Sequence, residues 1–142
     1  MLAWANKFCS QARYVVVTKE HTFVNWRRME MLAEREMFSS NRVYGDFMYM
    51  MTPNRKVNGK HQVTSQEWPW QYYPPFSLGE SLLVSSDALP RLLLSASLAP
   101  NLPVLPKVYL SGILPLVMDI TTVQINNFFY SGKFFNISKS KQ

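Results

Sequence analysis

A chain of 142 residues, 47% of them hydrophobic, is long enough to bury a core and too apolar for disorder to be the expectation. The net charge of +6 favours anionic partners. Arg27, Arg28, Lys56, Lys60, Lys133, Lys139 and Lys141 are scattered, however, and no basic run has the density of a nucleic-acid arm, so no nucleic-acid partner is expected.

In chain order, Leu2, Ala5, Cys9 and Ala12 recur at helical spacing and predict an amphipathic helix over 1–12. Cys9, the single cysteine, falls on its apolar face as a small buried hydrophobe; it excludes an internal disulfide, and with only His21 and His61 no zinc spacing exists. Tyr14 to Val17 is β-branched and apolar throughout, as in a buried parallel strand. Three polar residues follow, Lys19-Glu20-His21, and then Phe23-Val24-Asn25 opens a helix, with Asn25 suited to its N-cap. Trp26, Met29, Ala33 and Met37 form that helix's apolar stripe.

Val43 to Met51 reads as a strand interrupted at Gly45, and 52–66 as a polar turn or loop. Trp68 to Phe76 is aromatic and proline-rich, too irregular for regular structure. Leu82-Leu83-Val84 predicts a short strand. Ser86 or Asp87 then caps a helix to about Ser97, with Pro90 tolerated in its first turn. Beyond Pro115 no pattern persists, so residues 1–115 are expected to form the domain and 116–142 an unpatterned tail. The longest uncharged stretch, Leu92 to Pro106, is too short and proline-broken to span a membrane, and the N-terminus lacks a signal-type apolar core. One glycosylation triplet, Asn136-Ile137-Ser138, lies near the C-terminus.

This order of elements predicts an α/β fold with its site at the carboxyl ends of strands, where Lys19-Glu20-His21 falls. Several segments together carry a resemblance. They are Trp4 and Cys9 with Ala12-Arg13-Tyr14; Phe23-Val24-Asn25; Val43-Tyr44-Gly45; Arg55, Lys60 and Glu67-Trp68-Pro69; Tyr73-Pro74-Pro75-Phe76-Ser77-Leu78-Gly79; Leu83 to Asp87; and Val108-Tyr109-Leu110-Ser111-Gly112. In this order and spacing the chain resembles the β-1,3-galactosyltransferase and N-acetylglucosaminyltransferase family, inverting sugar transferases. The resemblance implies a partial GT-A-like fold, the C-terminal two-thirds of the usual domain. It also implies a UDP-sugar and a glycan acceptor as partners, Mn²⁺ as cofactor, and a Golgi membrane or lumenal setting, although this chain shows no anchor of its own.

Carried onto this sequence, the family's metal-binding aspartate triplet corresponds to Lys19-Glu20-His21, leaving Glu20 and His21 as residual ligands and Lys19 as a point charge able to touch a phosphate. Trp68, Tyr73, Pro75 and Gly79 fall in the substrate-binding signature. The acidic pair whose aspartate serves as the family's base is Pro106-Lys107 here. Both acidic stations are thus replaced while the apolar and turn residues around them are kept, which points to a weak or inactive hexosyltransferase. The alternatives are a non-catalytic binding or scaffold relative and an incomplete gene product.

Overall fold

The computed structural model describes residues 1–36, 40–57, 59, 61–79, 81–99, 102, 105–125 and, for the backbone, 129–131. Met37, Lys60, Glu80, the glycosylation triplet and the lysines after 131 lie outside the described residues.

Helix α1 (Leu2–Phe8) leads to strand β1 (Tyr14–Val17). A short strand β2 (Thr22–Val24) precedes helix α2 (Trp26–Arg35). Strands β3 (Arg42–Gly45) and β4 (Phe47–Met48) follow, and β5 (Phe76–Ser77) and β6 (Leu82–Ser85) come after a long loop. A 3₁₀ turn over Ser86–Ala88 enters helix α3 (Leu89–Leu98). Helix α4 (Pro106–Val108) continues through a π-helical turn (Tyr109–Ile113) into α5 (Leu114–Val117), and strands β7 (Thr121–Gln124) and β8 (Phe129–Ser131) close the described chain. The π turn has a local cause. Pro115 carries no N–H for the Ser111 carbonyl and its ring crowds that oxygen, so the helix widens just before it.

The central sheet runs β1-β6-β3-β7. Side chains alternate across it, as strand geometry requires. Val15, Val17, Val43, Leu82 and Val84 pack on one face against Ala5 of α1, Leu89 and Leu92 of α3 and Leu114 of α5. Tyr14, Val16, Tyr44, Leu83 and Val123 take the other face, covered by Met29 and Leu32 of α2. A mixed α/β domain with helices on both faces results. Burial pushes the Tyr44 phenol well above the usual range, with the neighbouring Tyr14 and Glu36 adding to the shift.

Several sequence expectations need correction. Among the described residues β1 lies at the edge of the sheet, half-buried along its length and antiparallel to β6, because an apolar run of four residues fixes neither direction nor depth. Thr22–Val24 does not open the helix; it pairs antiparallel with β8, and α2 begins only after Asn25, whose side chain accepts a bond from the Arg28 N–H at 3.2 Å. On α2 the buried residues are Met29 and Leu32, and Trp26 stays 62% exposed. Helix α1 ends at Phe8, leaving Cys9 half-buried at its C-cap. Neither Ser86 nor Asp87 supplies a side-chain cap to α3; Asp87 instead accepts from the Asn41 N–H at 2.7 Å. Past Pro115, β7 joins the sheet parallel to β3, so ordered structure continues where the sequence shows no pattern.

A third cluster lies beside the sheet, built from Val63, Trp68, Tyr73, Phe76, Val108 and Ile113. Arg55 organises the loop that contributes to it, donating to the carbonyls of Val63 (2.8 Å), Trp68 (2.6 Å) and Trp70 (3.1 Å). That guanidinium lets an irregular, aromatic loop satisfy its backbone while burying Trp68 and Tyr73.

Candidate functional site

A cleft of about 100 Å³ opens where β1 ends, beside the segment after β5 and the start of α4. Lys19 enters it from the turn after β1, and Lys107 from the first turn of α4. Gly79, Ser77, Ser81 and Ser111 complete the polar lining. Among the described residues that line it, none carries a carboxylate.

Hydrogen bonds fix this arrangement from below. The Ser77 N–H donates to the Ser111 hydroxyl at 2.9 Å, and that hydroxyl donates to the Lys107 carbonyl at 2.6 Å. Ser111, 1% exposed, therefore ties β5 to the turn that carries Lys107. The Lys107 ammonium donates to the Leu78 carbonyl at 2.7 Å, using one of its three N–H donors. Thr18 and Ser81 share a hydroxyl–hydroxyl bond of 2.6 Å that holds the end of β1 to the opposite wall. Ser77 Oγ is buried with no hydrogen-bond partner, on a residue 2% exposed.

The glycines matter here through what they leave open. A Cβ on Gly79 would stand 3.3 Å from Ser77 Oγ, and one on Gly45 would meet the same oxygen at 3.0 Å and Leu82 Cδ2 at 2.8 Å. Gly45 gives β6 and Ser77 room to approach β3, and Gly79 packs close over the buried Ser77 hydroxyl.

Of the site residues expected from the sequence, the fold brings Lys19, Gly79 and Lys107 into one cleft, although they come from three separate segments. Glu20 and His21 sit exposed on the turn beside it. Trp68 and Tyr73, each 6% exposed, belong to the third core cluster, with the Trp68 indole N–H donating to the Tyr72 carbonyl at 3.1 Å. Pro75 is exposed, and its carbonyl lies against Gly112. None of these three lines the cleft. Sequence reasoning missed Ser77, Ser81 and Ser111 as lining residues. The signal was there only as small polar residues beside a strand end and a helix start.

Whether the donors present fit a divalent cation can be judged from their chemistry. Mn²⁺ and Mg²⁺ favour several oxygen ligands in near-octahedral array. Around the turn the chain offers one carboxylate and one imidazole, and among the described residues no group of three or more His, Cys, Asp or Glu is placed to hold a metal ion. The described residues do not fit that ion.

Fold and cleft together define a mixed α/β domain with a cleft at the end of a sheet strand whose described lining includes two lysines and three serines. A family model described as galactosyltransferase matches residues 1–126, and the chain belongs to that family. It is similar to a beta-1,3-galactosyltransferase 4 of Canis lupus familiaris, 29% identical over 136 residues, with 72% of this chain and 36% of the relative covered. The beta-1,3-galactosyltransferase 4 of Homo sapiens is 30% identical over 131 residues, covering 72% and 35%. A human beta-1,3-galactosyltransferase 9 is 31% identical over 88 residues, covering 61% and 24%. The chain thus spans about a third or less of the length of these relatives. Among the described residues no helix is long and apolar enough to cross a membrane.

Proposed function

We propose that this chain is a UDP-sugar-binding relative of the β-1,3-hexosyltransferases, built on part of a GT-A-type fold that extends through β7, in which sugar transfer is weak or absent. A Golgi setting and a glycan acceptor accompany this reading by family resemblance. The observation that carries it is the Lys107 ammonium, which donates to the Leu78 carbonyl at the position where the family resemblance places a carboxylate base. Activating an acceptor hydroxyl requires a lone pair within reach of its proton. An ammonium group acting as a donor has none.

The metal station supports the same reading. Lys19 brings a positive charge to the cleft, and charge repulsion opposes a cation there. Neutralising a departing diphosphate would then fall to the chain's own ammonium groups. Such groups stabilise an anion whether it is bound or leaving, so they favour binding without supplying the proton transfer that the reaction needs.

The experiment is incubation of the purified chain with UDP-galactose and UDP-N-acetylglucosamine, with and without Mn²⁺, following nucleotide binding and donor turnover separately. Binding without hydrolysis or transfer is the expected result. Turnover that depends on Mn²⁺ would overturn the inactive part of the reading, and no nucleotide binding would overturn the whole.

A further inference from the structure

We propose that the side of the domain formed by α1, α3 and α5 docks on an anionic phospholipid surface, with the exposed apolar side chains of these helices entering the interface and the basic ones meeting the headgroups.

The three helices make one layer. Ala5 of α1, Leu89 and Leu92 of α3 and Leu114 of α5 pack on the same face of the sheet, and α3 touches both α1 and α5. Each helix also carries large apolar side chains turned away from that core: Trp4 and Phe8 on α1, Leu94 and Leu98 on α3, Leu116 and Val117 on α5. Trp4 and Phe8 each stay 61% exposed, with ring centroids 5.5 Å apart, so two aromatic rings stand together at the surface. Single exposed apolar residues are ordinary, but their concentration on the helices of one layer is the mark of an interaction surface.

Charge selects the partner. Residues 1–18 and 88–118, which contain all three helices, have no Asp or Glu; their cations are Lys7, Arg13, Arg91 and Lys107. Lys107 turns to the Leu78 carbonyl, whereas Lys7, Arg13 and Arg91 are exposed. The carboxylates nearest in sequence, Asp87 and Asp119, fall at one end of the layer, where Asn41 bonds to the Asp87 carboxylate and the Asp119 carbonyl. Across the sheet α2 differs, mixing Glu30 and Glu34 with Arg27, Arg28 and Arg35. Apolar and aromatic side chains among cations alone are what an anionic bilayer surface attracts. The Lys7 ammonium lies 5.3 Å from the Phe8 ring centroid, which lets the ring enter while the charge stays at headgroup level. Ser97, exposed on α3, donates its hydroxyl to the Leu94 carbonyl at 2.7 Å and so can approach an apolar phase without stranding a donor.

The test is flotation of the full chain with vesicles of phosphatidylcholine alone and of phosphatidylcholine and phosphatidylserine in equal parts, alongside sedimentation velocity without lipid. Binding to the mixed vesicles, weakened by salt and much poorer on phosphatidylcholine, is the expected result. Lys7→Gln and Arg91→Gln should each weaken it about fivefold, the effect of one basic residue at an anionic surface. Replacing Trp4 and Phe8 together by Ser should weaken it at least about tenfold, as loss of inserted aromatic area requires. Leu98→Glu, on a different helix, should do the same by adding an acid to the layer, so the test stands even where the α1 variant loses stability. Trp26→Ser, an equally exposed tryptophan on α2, should change nothing. No vesicle binding overturns the proposal, as does binding that responds to Trp26→Ser and ignores the α1 and α3 variants. A lipid-free dimer that dissociates when Trp4 and Phe8 are replaced, with no vesicle binding by the parent chain, also overturns it and assigns the layer to a second copy.

Discussion

The Lys107 ammonium reaches across 2.7 Å to the carbonyl of Leu78, joining the first turn of α4 to the segment that follows β5. The bond closes one wall of the cleft and sets the lysine as a donor. Removing it by Lys107→Ala should cost about 1 kcal/mol, because the contact is solvent-accessible and only partly charge-assisted. Denaturant unfolding of the variant and the parent chain measures the difference. An unchanged midpoint would mean that the tether contributes nothing to holding the wall.

Ser111 occupies a more demanding position. Its hydroxyl accepts from the Ser77 N–H and donates to the Lys107 carbonyl, and the residue is 1% exposed. Ser111→Ala strands a buried backbone donor on β5, a loss of about 1–3 kcal/mol. Ser97, whose exposed hydroxyl bonds to the Leu94 carbonyl, is the control: Ser97→Ala should stay within about 0.5 kcal/mol. Equal effects at the two serines would contradict the role assigned to Ser111.

Local signals in the sequence account for much of this architecture, and long-range ones for the remainder. The Leu82–Ser85 strand, the break near Gly45 and the Asn25 cap are each written within a few residues, and each is found. β2 and β7 are not written locally. Thr22–Val24 is a strand because β8, near the other end of the described chain, lies beside it, and Thr121–Gln124 because β3 does. Trp68 and Tyr73 fall in the substrate-binding signature by family resemblance, but Arg55 binds three carbonyls of their loop and both side chains lie in a core cluster. For the cleft, the sequence marks Lys19, Gly79 and Lys107 through family resemblance. The serines that complete it emerge only when three distant segments meet.

Gly45 is a packing constraint between β3 and its neighbours. A Cβ there would come 2.8 Å from Leu82 Cδ2 and 3.0 Å from Ser77 Oγ, closer than either can tolerate without movement. Leu82 and Ser77 are themselves buried, so their side chains must repack to relieve the contact. Gly45→Ala should therefore destabilise the fold by about 1–3 kcal/mol, as overpacking does. Gly79→Ala, with its nearest contact at 3.3 Å, should cost clearly less. Thermal melts of the two variants side by side test the order; a more damaging Gly79→Ala would reverse it.

Thr64 and Glu67 form a reciprocal pair at the entrance to the Trp68 loop. The Thr64 N–H and hydroxyl donate to Glu67 Oε2 at 2.7 and 2.8 Å, and the Glu67 N–H donates back to Thr64 Oγ1 at 3.2 Å. This is the bonding pattern of a capping box, and the Trp68 N–H closes the same turn on the Thr64 carbonyl at 3.0 Å. The Thr64 backbone N–H, first, and then its hydroxyl hold the Glu67 carboxyl below the usual carboxylate range. A depressed folded-state pKa contributes stability above the unfolded value and loses it as pH falls through the folded one. Thr64→Val keeps the N–H and removes the hydroxyl, so the Glu67 pKa should rise part of the way towards its ordinary value. NMR titration of the Glu67 side chain reads that shift directly. The stability gap between parent and variant should be full near neutral pH and narrow in acid, once Glu67 is protonated in both. A gap that stays constant from neutral to acid pH would show that the Thr64 hydroxyl acts through packing alone and not through the charge on Glu67.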